Sequence, residues 1–207
     1  MFFPSQKFHD AGSYATAYFG ELNKALATID PVAMSAAGQL LLEASVARTT
    51  TFSCGNGGSA AIANHLACDC MKGVQAGTAL LPRVHSLSAN VELMSAIVND
   101  MSVQEMFAFQ LRSLGSKGDL LVAISSSGSS PNIIKAIEDA KALGMKTIAL
   151  TGFNGGDAAK VADVSLHVDA HNYGVVEDAH QSLMHILAQF VRQSQLIDPS
   201  QLGSVKF

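Results

Sequence analysis

Apolar positions recur at helical spacing over residues 11–29, and Asp30-Pro31 interrupts them before a second helical stretch runs to Arg48. Proline suits the first turn of a helix, so the break reads as one helix ending and the next beginning. The period then changes. Thr49-Thr50-Thr51-Phe52-Ser53-Cys54 is β-branched and aromatic and predicts a strand. A glycine-rich run follows, then a helix over 60–72. A short strand is expected at 84–88, with helices over 91–98 and 103–114. Residues 119–125 (DLLVAIS) are almost continuously apolar, as strands buried on both faces are. A serine-rich run precedes a helix over 131–143. Strands at 146–151 and 164–168 and a long helix over 176–196 complete the pattern, and the last ten residues read as a loose tail.

Strands alternating with helices predict an α/β fold: a doubly wound, five-stranded parallel sheet flanked by helices. The chain reads as one domain, with a helical leader over 1–48, an α/β core over 49–197 and a tail over 198–207. No 20–50-residue repeat is evident. An all-helical leader ahead of a sheet is expected to pack on a partner subunit.

Composition narrows the function. The 207 residues are 48% hydrophobic, enough for one well-buried α/β core. A net charge of −4 gives no reason to expect nucleic-acid binding. No apolar run approaches the length of a membrane span, and the N-terminus lacks the order of a signal peptide, so a cytoplasmic location is expected. Three cysteines, Cys54, Cys68 and Cys70, exclude a full disulfide framework. Cys68 and Cys70 point to opposite sides of a helix and read as ordinary thiols.

Two loops carry candidate chemistry. Each ends a strand and opens a helix, the edge at which doubly wound sheets bind ligands and where free N–H groups favour an anion. Gly55-Asn56-Gly57-Gly58-Ser59-Ala60 formally fits the dinucleotide fingerprint G-x-G-x-x-A. That fingerprint needs an acid about 20 residues on; residues 74–81 have none, and the strand at 84–88 ends in serine. No nucleotide cofactor is expected. Ser125-Ser126-Ser127-Gly128-Ser129-Ser130 offers hydroxyl donors around a glycine that lets the backbone come close. No Gly-Lys-Ser/Thr follows, so the motif is not a P-loop. Phosphate binding is the expectation.

Strand, Ser-x-Ser-Gly-x-Ser and helix together resemble the phosphosugar signature of SIS domains. The glycine loop with His65 downstream, Ala96-Ile97-Val98-Asn99-Asp100, Glu105-x-Phe107 with Gln110, and Ala149-Leu150-Thr151-Gly152 extend the likeness to phosphoheptose isomerases over nearly the whole chain. The resemblance implies an SIS fold and interconversion of sedoheptulose 7-phosphate and D-glycero-D-manno-heptose 7-phosphate through an enediol. It also implies a zinc or other divalent ion, and a homotetramer with shared active sites.

His65 and Asp69 lie four apart on one helix face, a common metal-binding spacing. The resemblance completes a metal set of His65, Asp69, Glu177 and His185. Two members depart from the family, which has glutamate at the Asp69 position and glutamine at the Glu177 position. Residues eight apart on a straight helix lie about 12 Å apart along its axis, so Glu177 and His185 reach one ion only with difficulty. Asp69 is the expected base and His185 the opposing acid/base. Phosphate is expected on Ser125, Ser126, Ser127 and Ser130, helped by Asn56, Gly57, Gly58 and Ser59. Asn99, Asp100 and Glu177 are expected at the sugar. His85, His167 and His171 read as structural. Three rival readings are a non-catalytic SIS protein that binds the bacterial replication initiator, an isomerase of another sugar phosphate, and a sugar-phosphate-sensing regulator. Asp69 and Glu177 favour an enzyme, and no DNA-binding domain accompanies the fold.

Overall fold

The computed structural model describes residues 2–203. Two helices open the chain, α1 (Ala11–Leu26) and α2 (Pro31–Ala47). Asp10 and Asp30 cap them by accepting from Ser13 N and Val32 N, which satisfies N–H groups the helix itself leaves free. There follow β1 (Thr50–Gly55), α3 (Gly58–Cys68), β2 (Arg83–Ser86), α4 (Val91–Asp100) and α5 (Glu105–Leu114). The second half holds β3 (Leu120–Ser125), α6 (Pro131–Ala142), β4 (Lys146–Thr151), α7 (Ala158–Val161), β5 (Val164–His167) and α8 (Tyr173–Ser194).

The differences from the expected elements have local causes. The helix after the glycine loop starts at Gly58 rather than residue 60, and at Asp69 it widens into a π-type turn, Asp69–Gly73. Such turns occur often at functional sites. Helix α8 starts three residues early because Asn172 caps Val175 N. The four residues of α7 are too few to show a period. In the expected tail, Pro199–Gln201 forms a 3-10 turn capped by Asp198; residues 204–207 lie outside the described residues. The Cys68 and Cys70 side chains diverge as expected, one exposed and one buried, and burial pushes the Cys70 thiol up to about 12.

All five strands are parallel, in the order β2-β1-β3-β4-β5. The chain winds outward from β1 to one edge, then from β3 to the other. The neighbours β1 and β3 therefore bracket the point where the winding reverses, and there the loops leaving them diverge to opposite faces and open a crevice. Strand alternation divides the core. Leu120, Val122 and Ile124 face a layer of α1, α2, α3 and α8. Leu121 and Ala123 face α5, α6 and α7 through Phe107, Leu111, Ile133 and Ile137.

The leader docks on its own chain. Tyr18 Oη donates to Asp178 Oδ2 at 2.6 Å, tying α1 to α8, and Leu22 and Leu26 pack on the core. Burial, then the Asp178 carboxylate, raises the Tyr18 hydroxyl well above its ordinary range. Among the described residues no single helix is long and apolar enough to cross a membrane, although α1 and α2, bent by 78°, pass that test as a pair.

Candidate active site

The loops after β1 and β3 face each other across a cleft of about 290 Å³. Asn56, Gly57, Gly58 and Ser59 line one side, and Ser125, Ser126, Ser127 and Ser130 the other. Asn56 and Asn132 exchange amide hydrogen bonds of 3.0 and 2.8 Å, which fixes the loops relative to each other. Ser88 Oγ donates to Gly55 O and accepts from Gly55 N, holding the first loop from behind. Gly128 has φ +65°, and a Cβ there would collide with Gly155 O. Only glycine permits both that conformation and that approach.

Side chains cap α1, α2, α4 and α8. Helices α3 and α6 open directly onto the cleft with no side-chain cap, as does α5 away from it. Pro131 opens α6 without an N–H, and Ala60 N and Ile133 N donate to Gly57 O and Ser130 O, so Gly58, Ser59 and Asn132 supply the N–H groups open to a ligand, with the positive end of each helix dipole behind them. Ser126 adds a buried hydroxyl without a partner in the protein. Among the described residues the cleft lining contains no lysine or arginine. An anion there would meet N–H groups and hydroxyls rather than a cationic side chain.

From the cleft, α3 and α8 run side by side in contact. A Cβ on Gly58 would run into the Glu177 carboxylate, so the glycine gives that side chain its place at the cleft end. One turn further along α8, Gln181 reaches His65; one more turn on, His185 reaches Asp69. Glu177, Gln181 and His185 form a single stripe at spacing four. Asp69 lies between the two imidazoles: His65 Nε2 is 3.3 Å from Oδ1, and His185 Nδ1 is 2.8 Å from Oδ2. Gln181 Nε2 lies 3.0 Å from His65 Nδ1 and 2.9 Å from His185 Nε2.

His65, Asp69 and His185 each offer one ligand atom, all within 4.8 Å of one another. Two imidazole nitrogens and one carboxylate oxygen suit zinc or a similar divalent ion, and three protein ligands leave a position open. Glu177, expected as a fourth ligand, is outside this group; α8 is regular from Tyr173 to Ser194 and sets it two turns from His185. It lines the cleft instead. Asn99 and Asp100 are also away from the cleft, exposed at the end of α4 and bonded to each other at 2.7 Å. His180 faces the interior from the back of α8. Burial drops its pKa to about 4, the nearby Thr151 backbone opposing this and His167 adding a weaker push; neither ring nitrogen has a hydrogen-bond partner among the described residues. His167 Nδ1 lies 3.1 Å from Thr151 Oγ1, in hydrogen-bond contact.

The sequence expectations omit Gln181, Asn132 and Ser88. The spacing Glu177-x3-Gln181-x3-His185 was available as a signal for Gln181. The partners of Asn132 and Ser88 lie 76 and 33 residues away, and no local pattern marks them.

Comparison with known proteins agrees with this geometry. The SIS domain family model matches residues 16–152. The phosphoheptose isomerase of Nitratidesulfovibrio vulgaris is 40% identical over 134 residues, 65% of this chain and 64% of that protein. The aligned stretch thus spans just under two thirds of that relative. The phosphoheptose isomerase of Colwellia psychrerythraea is 35% identical over 158 residues, 75% of this chain and 80% of that protein. The solved structure of the phosphoheptose isomerase of Neisseria gonorrhoeae superposes with a TM-score of 0.80 at 31% identity, covering 88% of this chain and 98% of that one. Sheet order, strand-end cleft and these likenesses agree, and the chain belongs to the SIS-domain family and, within it, to the phosphoheptose isomerases.

Proposed function

We propose that the protein is an aldose–ketose isomerase that converts sedoheptulose 7-phosphate to D-glycero-D-manno-heptose 7-phosphate in the cytoplasm, for bacterial heptose (lipopolysaccharide or capsule) synthesis. The observation that carries this reading is an acid–base cluster that follows the anion site along the same pair of helices, α3 and α8. Gly58 at the cleft and His65 at the cluster are seven residues apart on α3, about 10 Å along the axis. With C–C bonds of about 1.5 Å, an open seven-carbon sugar phosphate extends roughly 9 Å from phosphorus to its second carbon. Phosphate on the serine loop therefore brings the carbons to be isomerised to Asp69 and His185.

The anion rests on Ser125, Ser126, Ser127 and Ser130 and on the open ends of α3 and α6. Glu177, acidic and next to Gly58, belongs at the sugar, where it accepts hydrogen bonds from hydroxyls. Asp69 takes the proton from the carbinol carbon beside the carbonyl, and the enediol forms as the carbonyl oxygen gains a proton. His185 moves the proton between the two oxygens, and the abstracted proton returns to the former carbonyl carbon. Atoms and electrons balance without an external oxidant. His65, Asp69 and His185 would hold a zinc or other divalent ion, which when bound supplies positive charge to polarise the carbonyl. A metal-bound Asp69 is a weaker base, so the metal and base roles of this residue compete.

The subunits assemble as a homotetramer with shared active sites. An apolar groove between α2 and α8, lined by Met34, Gly38, Ile186 and Phe190, supports this, as do Asn99 and Asp100, which lie away from their own cleft and are free to serve a neighbour's. Turnover of sedoheptulose 7-phosphate by metal-replete protein tests the reading. Product formed by wild type and lost in Asp69→Ala and His185→Ala supports it. Tight binding of the sugar phosphate without turnover points instead to another substrate or a non-catalytic SIS protein.

A further inference from the structure

Gln181 sits where both imidazoles turn away from Asp69. The four side chains close a ring: Asp69 Oδ1 with His65 Nε2, His65 Nδ1 with Gln181, Gln181 with His185 Nε2, and His185 Nδ1 with Asp69 Oδ2. Three of these contacts are hydrogen bonds and the fourth, His65 Nε2 to Asp69 Oδ1, is an ion-pair contact of 3.3 Å. An ionised carboxylate only accepts, so His185 donates to it from Nδ1, and the Gln181 amide N–H against His65 Nδ1 leaves that ring's proton on Nε2, the nitrogen turned toward Asp69. The other nitrogen of each ring is then an acceptor, and the two N–H bonds of one amide fill both. The rings stand perpendicular with centroids 4.9 Å apart, which lets a single amide reach both lone pairs.

We infer that Gln181 is the positioning residue of this cluster, an amide that selects which nitrogen of each imidazole faces a cation on the Asp69 side. The inference rests on the reading of His65, Asp69 and His185 as metal-holding. When the nitrogens facing Asp69 serve as ligands, the outer nitrogens carry the protons, and metal-bound histidines hold such protons on an acceptor. The Gln181 amide, turned over, presents one oxygen with two lone pairs to those two N–H groups. Nitrogen and oxygen of an amide have nearly the same shape, so the exchange requires no repacking. One residue thus satisfies both the metal-free and the metal-bound cluster, and neither Glu177 nor any other residue of the stripe touches both rings.

Zinc titration against a chromophoric chelator tests this on the full-length protein, comparing wild type with Gln181→Met and Gln181→Glu, each checked for fold by circular dichroism. Methionine keeps length but accepts no such bonds, and zinc affinity is expected to fall about 10- to 100-fold. Glutamate accepts both N–H groups, so its affinity is expected to stay at or above that of wild type. A methionine variant that binds zinc like wild type overturns the inference, as does a glutamate variant weakened to the same extent as methionine. A wild type that takes up no zinc defeats the metal reading, and nitrogen-15 spectra of the metal-free protein then decide. They are expected to show His65 protonated at Nε2 and His185 at Nδ1, with both rings exchanging tautomers in Gln181→Met. The same spectra in variant and wild type would end the proposal.

Discussion

The cleft and the cluster at the two ends of the α3–α8 contact are made of different materials. The cleft end is backbone N–H and short hydroxyls, supplied by Asn56, Gly57, Gly58 and Ser59 and by Ser125, Ser126, Ser127 and Ser130 at two strand ends. The cluster end is long side chains from two helices, with contacts spanning 116 residues of chain. Binding is thus assigned to groups that the strand–loop–helix geometry orients by itself. Proton handling is assigned to groups that only helix packing brings together. The first site tolerates loss of single hydroxyls because its donors are many, whereas the second fails with any one member.

The largest expected effect breaks the cluster end. Asp69→Ala and His185→Ala should each lower kcat by about 1000-fold, the scale of a lost general acid or base, while KM stays within a few-fold. Steady-state kinetics on sedoheptulose 7-phosphate measure it, and a change confined to KM would erase the functional division between the two ends.

His180, on the same helix but belonging to neither end, gives the next largest effect, in stability alone. Burial holds its folded pKa at about 4, against 6.5 for the ordinary imidazole. The folded protein keeps the ring neutral while the unfolded chain takes up a proton. Stability from this group is complete above pH 6.5, declines as pH falls toward 4, and loses no more below that, for a total of about 3 kcal/mol. Denaturant unfolding from pH 7 to 4 should show this decline in wild type and a smaller one in His180→Leu.

At the cleft end the losses are more modest. Ser126→Ala and Ser127→Ala should each raise KM about 10-fold, as loss of one hydrogen bond to a charged group does, with kcat changed less than 3-fold. Substrate titrations at fixed enzyme separate this from the cluster variants. A kcat effect equal to that of Asp69→Ala would show that the phosphate site also sets the chemistry. The smallest effect is a control remote from both ends. Arg112 bonds Glu105 and Asp139 across α5 and α6 and is partly exposed. Arg112→Ala should cost less than about 1 kcal/mol in thermal unfolding and leave the kinetics unchanged.

The sequence already carries the fold and the cleft. Period changes at Thr49, before Asp119 and after Thr151 mark real element boundaries. The serine and glycine loops are legible because their residues are contiguous and their position after a strand dictates what they face. Half of the cluster is legible for the same reason: His65 and Asp69 share a helix face by spacing. Its other half needed the family resemblance for His185, and that route assigned Glu177 to the metal while passing over Gln181. Both lie on the stripe of α8 that faces α3, and spacing alone does not say which turn stands opposite His65. Asn99 and Asp100 show the same limit: their helix is foreseen, but not the side of the molecule on which it ends.

By itself, then, the sequence determined the α/β winding, the two ligand loops and the helix carrying His65 and Asp69, because each follows from interactions among near neighbours in the chain. The tertiary structure decided the meeting of His65, Asp69, Gln181 and His185, the place of Glu177 over Gly58 and the Asn56–Asn132 clasp. Those depend on the offset between α3 and α8 and on the pairing of β1 with β3, which are set by how the whole core packs and by no local run of residues.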